Sequence, residues 1–223
     1  MDQLSNSVKG ILPQDLASEC TKAATIIDAF IKPQENAVEA KVIPANILGS
    51  AKGIAVMSIV KAGLGVSGRA GSGLVIVRLP SGDWSAPSAI GTAGVGIGWQ
   101  MGAEITDHVI ILNTDDAVKA FTSGSSVNLG GNVSVAVGPY GRSAEGGGAL
   151  TMQTVPAPVY SYSKSKGLFA GMSFEGSVII ERKEANKIFY GRDVTAAEIL
   201  AGAIDRPVEA ASLYQALQVH GSK

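Results

Sequence analysis

Residues 52–113 read KGIAVMSIVKAGLGVSGRAGSGLVIVRLPSGDWSAPSAIGTAGVGIGWQMGAEITDHVIILN, and their alternation decides the fold. Gly94, Gly96, Gly98 and Gly102 share one parity, while Val95, Ile97, Trp99, Met101, Ala103 and Ile105 share the other. Successive side chains of a strand point to opposite faces. One face is therefore large and apolar, and the other is nearly bare backbone. A bare face lets another backbone come close, or lets the sheet bend sharply. The stretch reads as the heart of a tightly curved antiparallel sheet that the rest of the chain closes.

Working outward, the turn sequence PSGD at 80–83 joins two β-runs and predicts a hairpin into 84–86. Strands are expected at 53–60, 64–66, 73–79, 89–104 and 105–112. Further strands are expected at 127–130, 132–137, 159–162 and 168–181. SKSKG, which follows Tyr162, reads as a basic turn, and 138–148 as a glycine-dense loop. Upstream, Pro13 opens a helix over 14–32, with Leu16, Cys20, Ala23, Ile27, Phe30 and Ile31 as its apolar stripe and Pro33 as its stop. Thr114 caps a short helix over 115–122. Downstream, 184–190 is a candidate helix, and Thr195 with Glu198 forms a capping box for a helix over 196–203. Pro207 opens a last helix to 219. This order predicts an α+β fold: a curved, barrel-like antiparallel β-sheet with an N-terminal helix and C-terminal helices packed on it. No repeat and no composition break divides the chain, so 1–223 is expected to be one domain, with a core over 14–218.

Composition narrows the function. The 223 residues are 46% hydrophobic and 17% charged, which suits a buried core rather than a disordered chain. A net charge of −1 gives no global pull toward nucleic acid, so nucleic-acid binding is not expected. The single cysteine, Cys20, excludes an internal disulfide and fits a reducing compartment. No apolar run reaches about 18 residues, so no membrane-spanning helix is expected. DQLSNSVKG after Met1 lacks the pattern of a secretory leader. The expectation is a cytoplasmic protein.

Chemistry-bearing motifs are sparse. Gly63-Leu-Gly65-Val-Ser-Gly68 matches G-x-G-x-x-G, but a β-run follows it instead of the helix whose N-terminus would hold a pyrophosphate. The only histidines are His108 and His220, and no nucleophile–base set or metal-ligand spacing is visible. Asp107 and His108 are neighbours on a strand and face opposite sides. No enzyme activity, cofactor or metal is expected. Two features remain as binding candidates. Leu4, Val8, Ile11 and Leu12 fall on one face of a helix over 1–13, which suits either a docked terminal helix or a membrane-inserting segment. Lys164 and Lys166 sit beside Tyr160 and Tyr162, a pattern that suits acidic headgroups or an acidic protein surface. Arg69 lies among glycines, where it would pair with an internal carboxylate or meet an anion.

Several long runs carry a family likeness: AKGIAVMSIVKAG, SGRAGSGLVIVRLPSGDWSAPSAIGTAGVGIGWQMGAEITDHVIILNT, LGGNVSVAVGPYGR, APVYSYSKSKGLFAGMSFEGSVIIER and FYGRDVTAAEIL. With them the chain resembles the SYLF domain family over about residues 14–218. The resemblance implies a non-enzymatic module that binds phosphoinositide-containing membranes. For the fungal members it also implies binding and bundling of actin filaments in endocytosis. It places the amphipathic N-terminus at 1–13 and the lysine-bearing helix at ECTKAATIIDAFIK. The candidate lipid- and actin-binding residues are then Lys9, Lys22, Lys32, Lys164, Lys166 and Arg69. The implied location is peripheral, at a membrane or at cortical actin patches. Members commonly carry a second module, such as an SH3 domain or a FYVE finger, so a partner module outside this chain is expected. The competing reading is a β-barrel-like domain that encloses a small apolar ligand or a metal, with Met101, Trp99 or Phe174 lining the cavity.

Overall fold

The computed structural model describes residues 15–31, 43–122, 127–128, 135–136 and 159–221. Its frame is three very long strands: β1 (Gly53–Val77), β2 (Ser88–Leu112) and β5 (Val159–Glu181). β1 pairs antiparallel with β2 along nearly its whole length, and β2 pairs antiparallel with β5. Among the described residues, two short strands complete the sheet. β3 (Val127–Asn128) runs antiparallel to β5, and β4 (Val135–Ala136) runs parallel to it.

The predicted curvature is present, and the sheet stays open instead of closing into a barrel. The runs expected as separate strands at 53–60, 64–66 and 73–79 are one strand that bends. Its register with β2 shifts once, between Leu64 and Val66, around Gly65 at φ 72°. On either side of this bulge the two arms of β1 converge. A Cβ added at Gly71 would fall on the carbonyl oxygen of Ser58, and one at Gly73 on that of Val56. At the open ends of the arms, the Arg78 amide donates to the Lys52 carbonyl over 2.7 Å. The bare-backbone face is expected on β2 around Gly94; the close backbone approach seen is on β1, at Gly71 and Gly73. SKSKG is not a turn: it lies inside β5, with Lys164 opposite Asp107 and Lys166 opposite Ile105.

Helices cover both sides of the paired arms. On one side lie α1 (Leu16–Ile31), α2 (Ala45–Ser50) and α6 (Ala211–Gly221), which a 3-10 turn over Val208–Ala210 precedes. They share a core with Ile54, Val56, Leu74, Ile76, Val109 and Ile111. On the other side lie α3 (Asp115–Thr122) and α5 (Ala196–Leu200). Phe121 and Leu200 from these helices pack with Ala55, Met57, Val75, Ile110 and Leu112. The parity of the strand residues assigns each to its side, as a pleated ladder requires. α4 (Lys183–Tyr190) ends at Gly191 in the left-handed region, the usual device for stopping a helix. The predicted capping box is formed, with Thr195 and Glu198 satisfying each other's backbone amides. α5 stops at Leu200, three residues short of expectation.

Candidate functional site

Among the described residues, the helices cover the arms and leave the bend of the sheet bare. There the two faces differ in kind. On one face, Ala62, Leu64, Val66 and Ala70 of β1 and Ala93, Val95, Met101 and Ala103 of β2 are all exposed. Leu64 and Met101 are direct cross-strand partners, and Leu64, Val66, Val95 and Met101 are 62–76% exposed. On the other face, the concave one that carries Gly63, Gly71 and Gly73, Lys61, Ser67 and Thr92 are buried. Arg69, Glu104, Thr106 and His108 are half-buried there. A sheet with one wet face normally turns its apolar residues inward and its polar residues out. At this bend the order is reversed.

Inside the concavity, the Arg69 charge reaches His108. Burial, reinforced by that guanidinium and opposed weakly by Asp107, pushes the His108 imidazole down to about 4. Asp107 itself takes a hydrogen bond from the Ser58 hydroxyl, so the adjacent pair has separate surroundings, as strand geometry requires. Arg69, Glu104 and His108 thus stand on one side of the sheet, while Asp107 pairs with Ser58. Among the described residues, no three His, Cys, Asp or Glu side chains come together as metal ligands. Met101, expected to line a ligand cavity in the competing reading, points to solvent.

The basic candidates are dispersed. Lys22, on α1, holds Glu19 at 3.4 Å and is largely covered. Arg69 faces the concavity. Lys164 and Lys166 occupy adjacent same-parity positions of β5. Lys9 and Lys32 lie outside the described residues, as do Leu4, Val8, Ile11 and Leu12. The exposed apolar row at the bend was not among the sequence candidates. Its signal was the apolar parity of residues 95–105, which alternation locates without telling which side faces water.

A family model described as Ysc84, Las17-binding protein actin regulator, matches residues 93–220. The chain is 52% identical over 207 residues to LAS seventeen-binding protein 3 of Saccharomyces cerevisiae, covering 93% of this chain and 45% of that protein. It is 51% identical over 206 residues to SH3 domain-containing YSC84-like protein 1 of Homo sapiens, covering 92% of this chain and 59% of that protein. An SH3 domain-containing protein of Schizosaccharomyces pombe is 50% identical over 206 residues, covering 92% and 48%. The chain spans about half the length of the curated relatives it matches. No solved structure matches it.

Proposed function

The chain belongs to the Ysc84 family, and from that premise we propose that it is a non-enzymatic module that binds phosphoinositide-containing membranes and binds or bundles actin filaments, in endocytosis and cortical actin organisation. The observation that carries the reading is the family match over residues 93–220, whose description names an actin regulator. The relatives' names add SH3 domains, which fits a partner module outside this chain. Among the described residues, no helix is long and apolar enough to cross a membrane. Lys9, Lys22, Lys32, Lys164, Lys166 and Arg69 are the proposed basic contacts, and Leu4, Val8, Ile11 and Leu12 the proposed inserting residues. A basic residue near an anionic leaflet contributes about 1 kcal/mol, so several must act together.

Two pelleting assays test the two halves separately. Co-sedimentation with phosphatidylcholine–phosphatidylserine vesicles, with and without phosphatidylinositol 4,5-bisphosphate, should show enrichment that weakens as salt rises. Co-sedimentation with actin filaments should show saturable binding. No enrichment on anionic vesicles at any salt removes the membrane half. No pelleting with filaments removes the actin half.

A further inference from the structure

The reversed polarity of the bend points to an apolar environment outside it. Exposed apolar side chains are not rare on proteins; a contiguous exposed row is the informative case. Here the row backs onto a concave face that holds Lys61, Arg69, Glu104 and His108. Apolar outside and polar inside is the pattern that β-structure adopts when lipid surrounds it.

We infer that the bend of β1 and β2 is a wedge that enters one leaflet of a bilayer, with Leu64, Val66, Val95 and Met101 as the side chains that meet acyl chains. The inference rests on the lipid-binding half of the reading above and adds where and how deeply the protein inserts. Two features argue for lipid as the occupant. First, the exposed apolar band runs from the bend to Ala70, about four residues or about 13 Å along the strand. That matches one leaflet of a hydrocarbon core about 30 Å thick and is too short to span it. Second, the ladder places Lys166 and Lys164 on β5 opposite Ile105 and Asp107, where the apolar band ends. That is the depth at which anionic headgroups would lie.

The test uses the full chain with a single added cysteine, in a Cys20→Ala background, labelled with an environment-sensitive nitrobenzoxadiazole dye. One label sits at Val66→Cys on the bend and one at Gln215→Cys on α6, an exposed position on the helix-covered arms. Vesicles are phosphatidylcholine, phosphatidylserine and phosphatidylinositol 4,5-bisphosphate, with nitroxide-bearing lipids as depth quenchers. The expected result is a vesicle-dependent blue shift and nitroxide quenching at position 66, with neither at 215. A Leu64→Asp/Val95→Asp variant, with unchanged circular dichroism, should bind vesicles at least tenfold more weakly. If the chain pellets with these vesicles while position 66 stays in water, the wedge is wrong and the lipid-binding reading stands. If the chain pellets with no vesicle, both fall. A blue shift without vesicles that grows with protein concentration would mean that a second copy covers the row, which overturns the wedge. A concentration-independent blue shift that deletion of residues 1–14 abolishes would assign the row to that segment, with the same consequence.

Discussion

The Ser72 hydroxyl donates to the Glu19 carboxylate over 2.5 Å, and both residues are buried. This bond ties α1 to the second arm of β1. Lys22 approaches the same carboxylate at 3.4 Å, and the Arg182 guanidinium stands 3.9 Å away. A hydrogen bond to a charged group contributes about 1.5–3 kcal/mol, and stripping partners from a buried charge costs more than the bond returns. Ser72→Ala should therefore lower the unfolding free energy by about 2 kcal/mol. Arg182→Ala with Ser72→Ala should cost more than the sum of the single changes, because both serve one carboxylate. Urea denaturation of the four proteins in the cycle measures both. Strict additivity would show that the residues do not act as one network.

The His108 imidazole is held down to about 4 from its ordinary 6.5, first by burial and then by Arg69. The folded protein thus binds fewer protons than the unfolded chain between those two values. This stability is fully present above pH 6.5 and is lost as pH falls toward 4. The linkage is worth about 3 kcal/mol at most across the window. Asp15, held low chiefly by the Ser18 amide, and Glu198, held low by Thr195, lose their contributions only as pH falls below ordinary carboxylate values. Urea unfolding at pH 7.0 and 5.0 should show wild type weakening over this interval. His108→Gln should weaken less, and equal losses in the two proteins would refute the assignment.

Helices were legible because their signals are local. Pro13 and Pro33 bracket α1, Thr114 places α3, and the Thr195–Glu198 pair places α5. The turn at 80–83 was legible for the same reason: Leu79 and Asp83 close it, with Gly82 at φ 90°. The strands were not legible as three continuous elements. Glycine marks a bend and a break alike, and only the register across Leu64 and Val66 separates them. Alternation likewise showed two unlike faces without the sign of their exposure. The apolar side of β2 is core at Val109 and Ile111 but solvent-facing at Val95 and Met101. That reversal depends on where the helices stop along the arms, which no short window contains. The basic candidates Lys164 and Lys166 were legible as residues but misplaced in a turn.

Cys20 is fully buried on α1, as its place in the apolar stripe predicted. Burial, with the Glu19 charge beside it, pushes its thiol up to about 12. The thiolate is the reactive form, so native Cys20 should resist modification. At pH 8, Ellman's reagent should react with less than about a hundredth of the rate seen in urea, consistent with a pKa raised by several units. Rapid stoichiometric reaction of the folded protein would mean that α1 opens from the sheet, since only that motion exposes the sulfur.

Close approach of the arms makes Gly73 and Gly68 a matched pair. Both lie on β1, five residues apart, and neither has a positive φ. A Cβ at Gly73 meets the Val56 carbonyl oxygen and lies 2.6 Å from the Met57 Cα, atoms that cannot turn aside. A Cβ at Gly68 meets nothing within 4 Å. Gly73→Ala must spread the arms against the core beneath them, and overpacking of this kind costs about 3 kcal/mol. Gly68→Ala should stay within about 0.5 kcal/mol of wild type, as exposed changes do. Chemical denaturation reads the difference directly. Equal stability of the two variants would mean that the arms are not in backbone contact, and the bend that sets the outer face of Leu64 and Val66 would lose its cause.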